Sequence, residues 1–248
     1  MIVLKTPGEI ELLRVVNRVV AEVLKEIESR IIPGITTLEL DEMAEEFLCK
    51  KDCTPAFKGY KGYPKSICAS VNEEVVHGIP SKKRLKEGDI ISVDMGAKYK
   101  GFYGDMAITC AVGKISEQAG KLIEVSKRAL ENGITEARNG NRLGDISSAI
   151  QRTVEKEGFS VVRFFVGHGI GRELHEMPQI PNFGVPGKGV RLKSGMVFAI
   201  EPMVNAGGSD VEILEDGWTA VTKDRSLSAH FEHTVVIKDG SPEILTTA

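Results

Sequence analysis

Residues 89–112 read DIISVDMGAKYKGFYGDMAITCAV, two apolar runs joined by a short turn that contains glycine. This pattern predicts an antiparallel β-hairpin, with Asp94 in the first strand and Asp105 at the start of the second. A simple hairpin centred on Tyr99-Lys100 would place the two carboxylates directly opposite each other. A turn at Lys100-Gly101 would change the register, and the carboxylates share a face after a shift of two residues but not of one.

Three more residues with metal-binding side chains lie in or beside apolar stretches. His168 lies within GHGIGRELHE, Glu201 follows VFAI, and Glu232 lies within HFEHTVVI. A buried carboxylate without a partner is very costly, so four carboxylates in such surroundings require a cation. Four carboxylates and one imidazole favour two divalent ions that share carboxylates over one zinc ion held by Cys and His.

The glycines around His168 allow two interpretations. GHGIGR superficially resembles a phosphate-binding loop, but it lacks the Lys-Ser/Thr pair of a P-loop. The favoured interpretation is that these glycines give the backbone clearance around a ligand, with the imidazole of His168 as the one nitrogen donor.

The other four histidines also allow a structural interpretation. His77 and His175 are candidate proton donors or oxyanion stabilisers if they lie beside a metal site. His230 and His233 are interpreted as structural. Strand alternation places His230, unlike His233, on the same face as Glu232.

Composition narrows the class of protein. The chain has 248 residues, of which 42% are hydrophobic, enough for one large domain or two small ones. A net charge of −3 gives no indication of nucleic acid as the main partner. The four cysteines form no CxxC pair, and Cys49 and Cys53 are placed on one helix as reduced, half-buried thiols. Charges interrupt every apolar run near the N-terminus, so we expect no targeting signal, no membrane span and a cytoplasmic location.

The order of elements indicates a weak internal duplication. Capping patterns predict helices that begin after Thr6, Thr36 and Ser116, and a fourth helix follows Asn139-Gly140. Short strand-like runs follow each pair of helices. No linker separates the halves, so we expect one catalytic domain over 1–248 with halves of approximately 1–113 and 114–248, and a site between them.

Five motifs together resemble those of type I methionine aminopeptidases. They are NEEVVHGIP (72–80), VDMGAKYKGFYGDMA (93–107), GHGIGRELHE (167–176), FAIEPM (198–203) and SAHFEHTVV (228–236). The resemblance runs from the first helix to about Ile237. It implies an α+β "pita-bread" fold, with two pseudo-symmetric αβ halves around a curved antiparallel sheet, in the compact bacterial form of the enzyme.

The resemblance also implies the roles of the site residues. Asp94 would bind one ion, and His168 and Glu201 the other. Asp105 and Glu232 would bridge both ions, which are drawn from Co, Mn, Fe, Ni and Zn. Glu201 would also move a proton to the leaving amine. His175 would stabilise the oxyanion, and His77 would bind the substrate amide.

A methionine pocket and a class of substrate are implied in the same way. The pocket residues are Tyr60, Tyr63, Cys68 and Trp218, with Phe57 and Leu174 at the margin. The alternative for this cluster is plain core packing. The implied substrates are nascent, ribosome-associated polypeptides with an N-terminal Met and a small second residue, and the implied oligomeric state is a monomer.

Three other functions remain open at this stage. A proline-specific aminopeptidase or dipeptidase of the same fold usually carries a long N-terminal domain. An inactive binding module of this fold would have lost metal ligands, and here none is lost. A mononuclear iron oxygenase needs two histidines and one carboxylate, whereas this series offers one histidine and four carboxylates.

Overall fold

The computed structural model describes residues 2–248. The α-helices among these residues are α1 Pro7–Glu28, α2 Thr37–Lys50, α3 Glu117–Glu136 and α4 Leu143–Lys156, and a short 3₁₀ turn spans Tyr60–Gly62. The strands are β1 Thr54–Pro55, β2 Cys68–Val71, β3 Glu74–Val76, β4 Ile90–Tyr99, β5 Phe102–Ala111, β6 Ser160–Val161, β7 Val166–Gly169, β8 Glu176–Pro181, β9 Val197–Ile200, β10 Met203–Asn205, β11 Val211–Ile213, β12 Ala220–Thr222, β13 Ser228–His230, β14 Glu232–Val236 and β15 Glu243–Ile244.

The helices begin where the capping patterns predict. Thr6 and Thr36 each form a full capping box with the glutamate three residues later, and the Ser116 hydroxyl accepts a hydrogen bond from the backbone of α3.

The prediction that one helix carries both Cys49 and Cys53 is wrong. The helix α2 ends at Lys50, and Asp52 has a left-handed backbone with φ 56°, so Cys53 lies beyond the helix. Cys49 is exposed and Cys53 is buried, and both are free thiols.

The hairpin of β4 and β5 has a register different from the simplest prediction. Its turn is Lys100-Gly101, and both residues have positive φ, 46° and 82°, as a two-residue turn that matches strand twist requires. Asp94 is therefore opposite Ala107, and Asp105 is opposite Gly96. The prediction of directly opposed carboxylates is wrong. Because the shift is two residues, both side chains still lie on one face of the sheet.

The main sheet brings the two halves of the chain together. Its strand order is β1-β4-β5-β14-β9-β7-β8, every pair is antiparallel, and β2 and β15 add to β4 and β14. Strands from the N-terminal half, β4 and β5, lie beside strands from the C-terminal half. The connection between β5 and β14 is therefore the long-range contact on which a shared site depends.

Each pair of helices covers part of this sheet. The helix α1 packs on β4 and β5, and α3 packs on α4 and on the C-terminal strands. The buried stripe of α1 includes Val16, Val20, Leu24 and Ile27, at helical spacing. Each such side chain contributes about 1.5–3 kcal/mol when it is fully buried. Helices on one side of an antiparallel sheet make this an α+β protein, as predicted.

None of the helices within residues 2–248 has the length and apolar character needed to cross a membrane.

Candidate active site

Five adjacent strands of the main sheet carry the five predicted metal-binding residues. Asp94 lies in β4, Asp105 in β5, Glu232 begins β14, Glu201 directly follows β9, and His168 lies in β7. These five strands are consecutive in the sheet, in the order β4, β5, β14, β9 and β7. Residues distant in sequence thus become neighbours across the sheet.

Strand pairing also places these side chains on one face. Ala107 is paired with Asp94 on one side and with Glu232 on the other, so the three side chains share a face, and Asp105 shares it two residues from Ala107. Ala199 is paired in the same way with His168 and with Thr234, which is two residues from Glu232. The small side chains of Ala107 and Ala199 leave space for the carboxylates between the strands.

Several polar atoms in this cluster have no hydrogen-bond partner among the described residues. They are Asp94 Oδ1, Asp105 Oδ1, Glu232 Oε1 and His230 Nε2. Asp105 is 3% exposed and Glu232 is 2% exposed, so solvent does not satisfy them. Ligand atoms of Asp105, His168 and Glu232 lie within 4.8 Å of one another. These buried oxygen donors and one imidazole fit divalent metal ions, which would satisfy the orphaned carboxylate oxygens.

The electrostatics of the cluster point to the same need for positive charge. Burial raises the pKa of Asp94 and of Glu201 to about 7. Burial first, and then the neighbouring carboxylates, raise the pKa values of Asp105 and Glu232 above their usual range. Without a cation, these groups therefore hold protons near neutral pH.

A cavity of about 170 Å³ joins this cluster to an apolar pocket. Its lining contains all five predicted metal-binding residues and both His77 and His175. It also contains Phe57, Tyr60, Tyr63, Cys68, Leu174 and Trp218, which are the predicted methionine-pocket residues and their margin. Tyr63 and Trp218 meet edge to face with ring centroids 5.1 Å apart, so the wall of this pocket is aromatic.

His175 is positioned by two rings. Its Nδ1 lies 2.9 Å from the hydroxyl of Tyr60, and its ring centroid lies 4.2 Å from that of His168. Although the residue as a whole is exposed, enclosure of its ring and the neighbouring imidazole of His168 lower the pKa of His175. The imidazole is therefore neutral at pH 7. With Nδ1 accepting from Tyr60, its Nε2–H is free to donate.

The loop that carries His175 is fixed by the N-terminal segment. The carboxylate of Glu176 accepts a hydrogen bond from the backbone N–H of Arg172 at 2.8 Å and pairs with the ammonium of Lys5 at 2.5 Å. The Lys5 side chain is 3% exposed, so this ion pair is enclosed by protein. The contact ties the segment before α1 to the turn next to the cavity.

His77 also lines the cavity. It follows β3 and has a positive φ of 61°, which is uncommon for a residue other than glycine and typical of functional positions. Its ring meets Phe165 edge to face at 5.3 Å and Trp218 at 6.4 Å. Burial lowers the pKa of His77 to about 4, so this imidazole is also neutral at pH 7.

Comparison with known proteins agrees with this geometry. The sequence model of metallopeptidase family M24 matches residues 11–239. The chain belongs to this family. Methionine aminopeptidase 1 of Bacillus subtilis is 55% identical over 246 residues, which cover 99% of each chain. The crystal structure of methionine aminopeptidase from Thermotoga maritima superimposes with a TM-score of 0.99 at 53% identity and covers 100% of both chains.

The comparison with M24 relatives also identifies the fold and tests the alternative functions considered from the sequence. The pita-bread fold that the motifs predict is confirmed, because the matched Thermotoga structure covers the whole chain. Prolidase from Pyrococcus furiosus shares this fold with a TM-score of 0.79, but at 23% identity the similarity extends to the fold alone. The chain is thus a metallopeptidase related to the methionine aminopeptidases, which argues against the iron oxygenase alternative.

Two residues at this M24 site were not predicted from the sequence. Lys61 lines the cavity from the turn beside Tyr60. His230, which the sequence suggests is structural, has a buried ring whose Nε2 has no hydrogen bond and lies 3.5 Å from Glu201. The sequence feature that indicated a role for His230 at the site was its position two residues before Glu232, which puts both side chains on one face of a strand. His233 does have a structural contact, because its Nδ1 lies 2.8 Å from the Thr246 hydroxyl.

Added Mn²⁺ should raise the melting temperature more at about pH 8 than at about pH 5.5. In the metal-free protein, the raised pKa values of Asp94 and Glu201 mean that the folded state holds protons that the unfolded chain releases near pH 4. Their contribution to stability is complete below about pH 4 and is lost as the pH rises to about 7. A metal ion replaces these protons. Differential scanning fluorimetry of EDTA-treated protein measures the gain, and an equal or smaller gain at pH 8 would contradict the expectation.

Proposed function

We propose that this chain hydrolyses the peptide bond after an N-terminal methionine, and does so best when the second residue is small. The observation that carries the proposal is the single cavity that joins the carboxylate–imidazole cluster to an aromatic, apolar pocket. The cluster supports hydrolysis, and the pocket suits an unbranched thioether side chain. Relatives named methionine aminopeptidase, matched over 99% of each chain, support the same activity.

Two divalent metal ions, drawn from Co, Mn, Fe, Ni and Zn, would supply polarisation of the scissile carbonyl and a lowered pKa for a water molecule. In this proposal Asp94 would bind one ion, and His168 and Glu201 would bind the other. Asp105 and Glu232 would bind to both. The support for this arrangement is the set of carboxylate oxygens without hydrogen-bond partners.

The other side chains move protons and orient the substrate. Glu201 would carry the proton from the water to the leaving amine, as a carboxylate that lines the same cavity. His175 donates from Nε2 to the oxyanion, because the Tyr60 hydroxyl occupies its Nδ1. His77 donates to the substrate amide near the leaving nitrogen, held in place by Phe165 and Trp218.

A small panel of peptides tests the proposed substrate. We expect Met-Ala-Ser to be the best substrate, with norleucine or leucine at the first position weakened by about 1–3 kcal/mol, because an apolar pocket discriminates weakly between similar side chains. Ala-Pro should not be cleaved. Cleavage of Ala-Pro in preference to Met-Ala-Ser would overturn the proposal and favour a proline-specific enzyme of this fold.

The setting in the cell is part of the same proposal. The substrates are nascent polypeptides, reached in the cytoplasm as they leave the ribosome, and the chain acts as a monomer with one catalytic domain over 1–248. Its halves, approximately 1–113 and 114–248, each supply part of the metal-binding set.

His175→Ala should lower kcat by roughly 10²-fold, as the loss of one oxyanion donor does in other enzymes. Metal content should not change, since His175 is held by Tyr60 rather than by the carboxylates. Steady-state kinetics and metal quantification measure the two quantities. His233→Ala is the matched control, because it removes an imidazole that contacts Thr246. Loss of metal from the His175 variant would instead make this residue a ligand.

A further inference from the structure

Glu201 lies between two imidazoles. Its Oε1 is 3.4 Å from Nε2 of His168, and its Oε2 is 3.5 Å from Nε2 of His230. Only the first of these histidines belongs to the metal-binding set described above. The two oxygens of one carboxylate thus each face a different nitrogen donor.

The position of His230 is fixed by its backbone. Its N–H donates to the hydroxyl of Thr109 at 2.9 Å, and the same hydroxyl donates to its carbonyl oxygen at 2.8 Å. The hydroxyl of Ser92 lies 2.8 Å from that of Thr109 and completes a buried network. His230 ends β13 and Glu232 begins β14, so the chain passes from one sheet to the next between them. The imidazole is therefore held against the cluster by both sheets.

The ring of His230 ends in an unsatisfied atom. The residue is 2% exposed, and its Nε2 has no hydrogen-bond partner among the described residues. A buried nitrogen of this kind costs free energy unless something binds it. The neighbours of this imidazole are carboxylates. One ligand atom from each of His230, Glu201 and Glu232 lies within 4.8 Å of the other two.

We propose that His230 is a metal ligand that acts together with Glu201 and Glu232, so that a second imidazole joins the metal centre. The inference rests on the proposed function, which supplies the metal ions. A neutral imidazole adds a donor without adding charge, and four carboxylates already balance two divalent ions. Metal–nitrogen and metal–oxygen bonds of about 2.0–2.2 Å allow two ligands on one ion to lie up to about 4 Å apart. The 3.5 Å between Nε2 of His230 and Oε2 of Glu201 is within that limit.

The competing role for His230 is that of a hydrogen-bond donor to Glu201. In that case Nε2 would carry a hydrogen and would orient the carboxylate without touching a metal ion. The two roles differ in the number of imidazoles bound to metal, which is one for a donor and two for a ligand. Counting bound imidazoles therefore separates them.

The experiment is a titration of EDTA-treated protein with Co²⁺, followed by proton NMR. Exchangeable imidazole N–H resonances with the large contact shifts of a ring bound directly to the paramagnetic ion are counted in the wild-type protein and in His230→Gln, so that nearby unbound rings such as those of His77 and His175 are left out of the count. We expect two such resonances in the wild type and one in the variant. Isothermal titration calorimetry should show that the variant binds Co²⁺ at least tenfold more weakly, as the loss of a ligand or of its support causes elsewhere.

His233→Gln is the matched control, because it loses an imidazole three positions away that contacts Thr246. It should keep both shifted resonances and the wild-type affinity. A single shifted resonance in the wild-type protein would overturn the proposal even if His230→Gln failed to fold. Unchanged Co²⁺ affinity in a folded His230→Gln variant would also overturn it. In either case, continued hydrolysis of Met-Ala-Ser would leave the proposed function standing, whereas wild-type protein that neither bound Co²⁺ nor cleaved the peptide would remove both.

Discussion

Asp105→Asn should abolish peptide hydrolysis while the protein remains folded. The substitution removes one negative charge from the centre of the cluster and leaves the volume of the side chain almost unchanged. Asp105 is 3% exposed and its Oδ1 has no hydrogen-bond partner, so a cation is the expected partner of this carboxylate. Its backbone contacts do not depend on the carboxylate: the N–H donates to Asn17 Oδ1 at 3.2 Å, and the carbonyl accepts from Thr234.

The measurement is kcat/KM for Met-Ala-Ser with wild-type protein and with the variant. If Asp105→Asn retained more than about a tenth of wild-type kcat/KM, a loss below ~1.4 kcal/mol, the bridging role would be wrong. Asp210→Asn is the matched control, because Asp210 is exposed and far from the cavity lining. Metal-free Asp105→Asn should also be at least as stable as metal-free wild type near pH 8, because it no longer buries a carboxylate whose pKa is raised.

Acylation of the substrate amine should prevent cleavage. Formyl-Met-Ala-Ser and acetyl-Met-Ala-Ser lack the basic lone pair with which a free amine, of pKa ~7.7–8, binds a cation. The added group would also lie next to the buried carboxylates of Asp105 and Glu232, where it puts an amide in place of a free amine. We therefore expect no detectable release of the blocked methionine in an assay that readily detects cleavage of the free peptide.

Parallel assays of the free and blocked peptides with the same metal-loaded sample make this comparison. The free peptide is the control for active protein, and a mixture of both peptides reveals any inhibition by the blocked one. Efficient cleavage of the formylated peptide would refute both the requirement for a free amine and the aminopeptidase assignment.

Local signals in the sequence determined the helices and the hairpin. Thr6, Thr36 and Ser116 mark helix starts because an unpaired helix N-terminus needs a side-chain acceptor close in sequence. Strand alternation likewise predicted that Asp94 and Asp105 share a face, since the simplest hairpin register gives that result and a shift of two residues preserves it. The exact register was not fixed in this way, because it depended on which two residues adopt a left-handed turn, and the structure uses Lys100-Gly101.

The sequence also singled out the metal-binding set, through carboxylates next to apolar runs and through family motifs. Only the tertiary structure decided that these residues meet. The pairing of β5 with β14 joins segments more than a hundred residues apart. No local sequence pattern predicts which strands pair across a loop of that length. The environment of His230 was likewise decided by packing: its sequence context is that of an ordinary strand residue, but the step from β13 to β14 places its ring against Glu201.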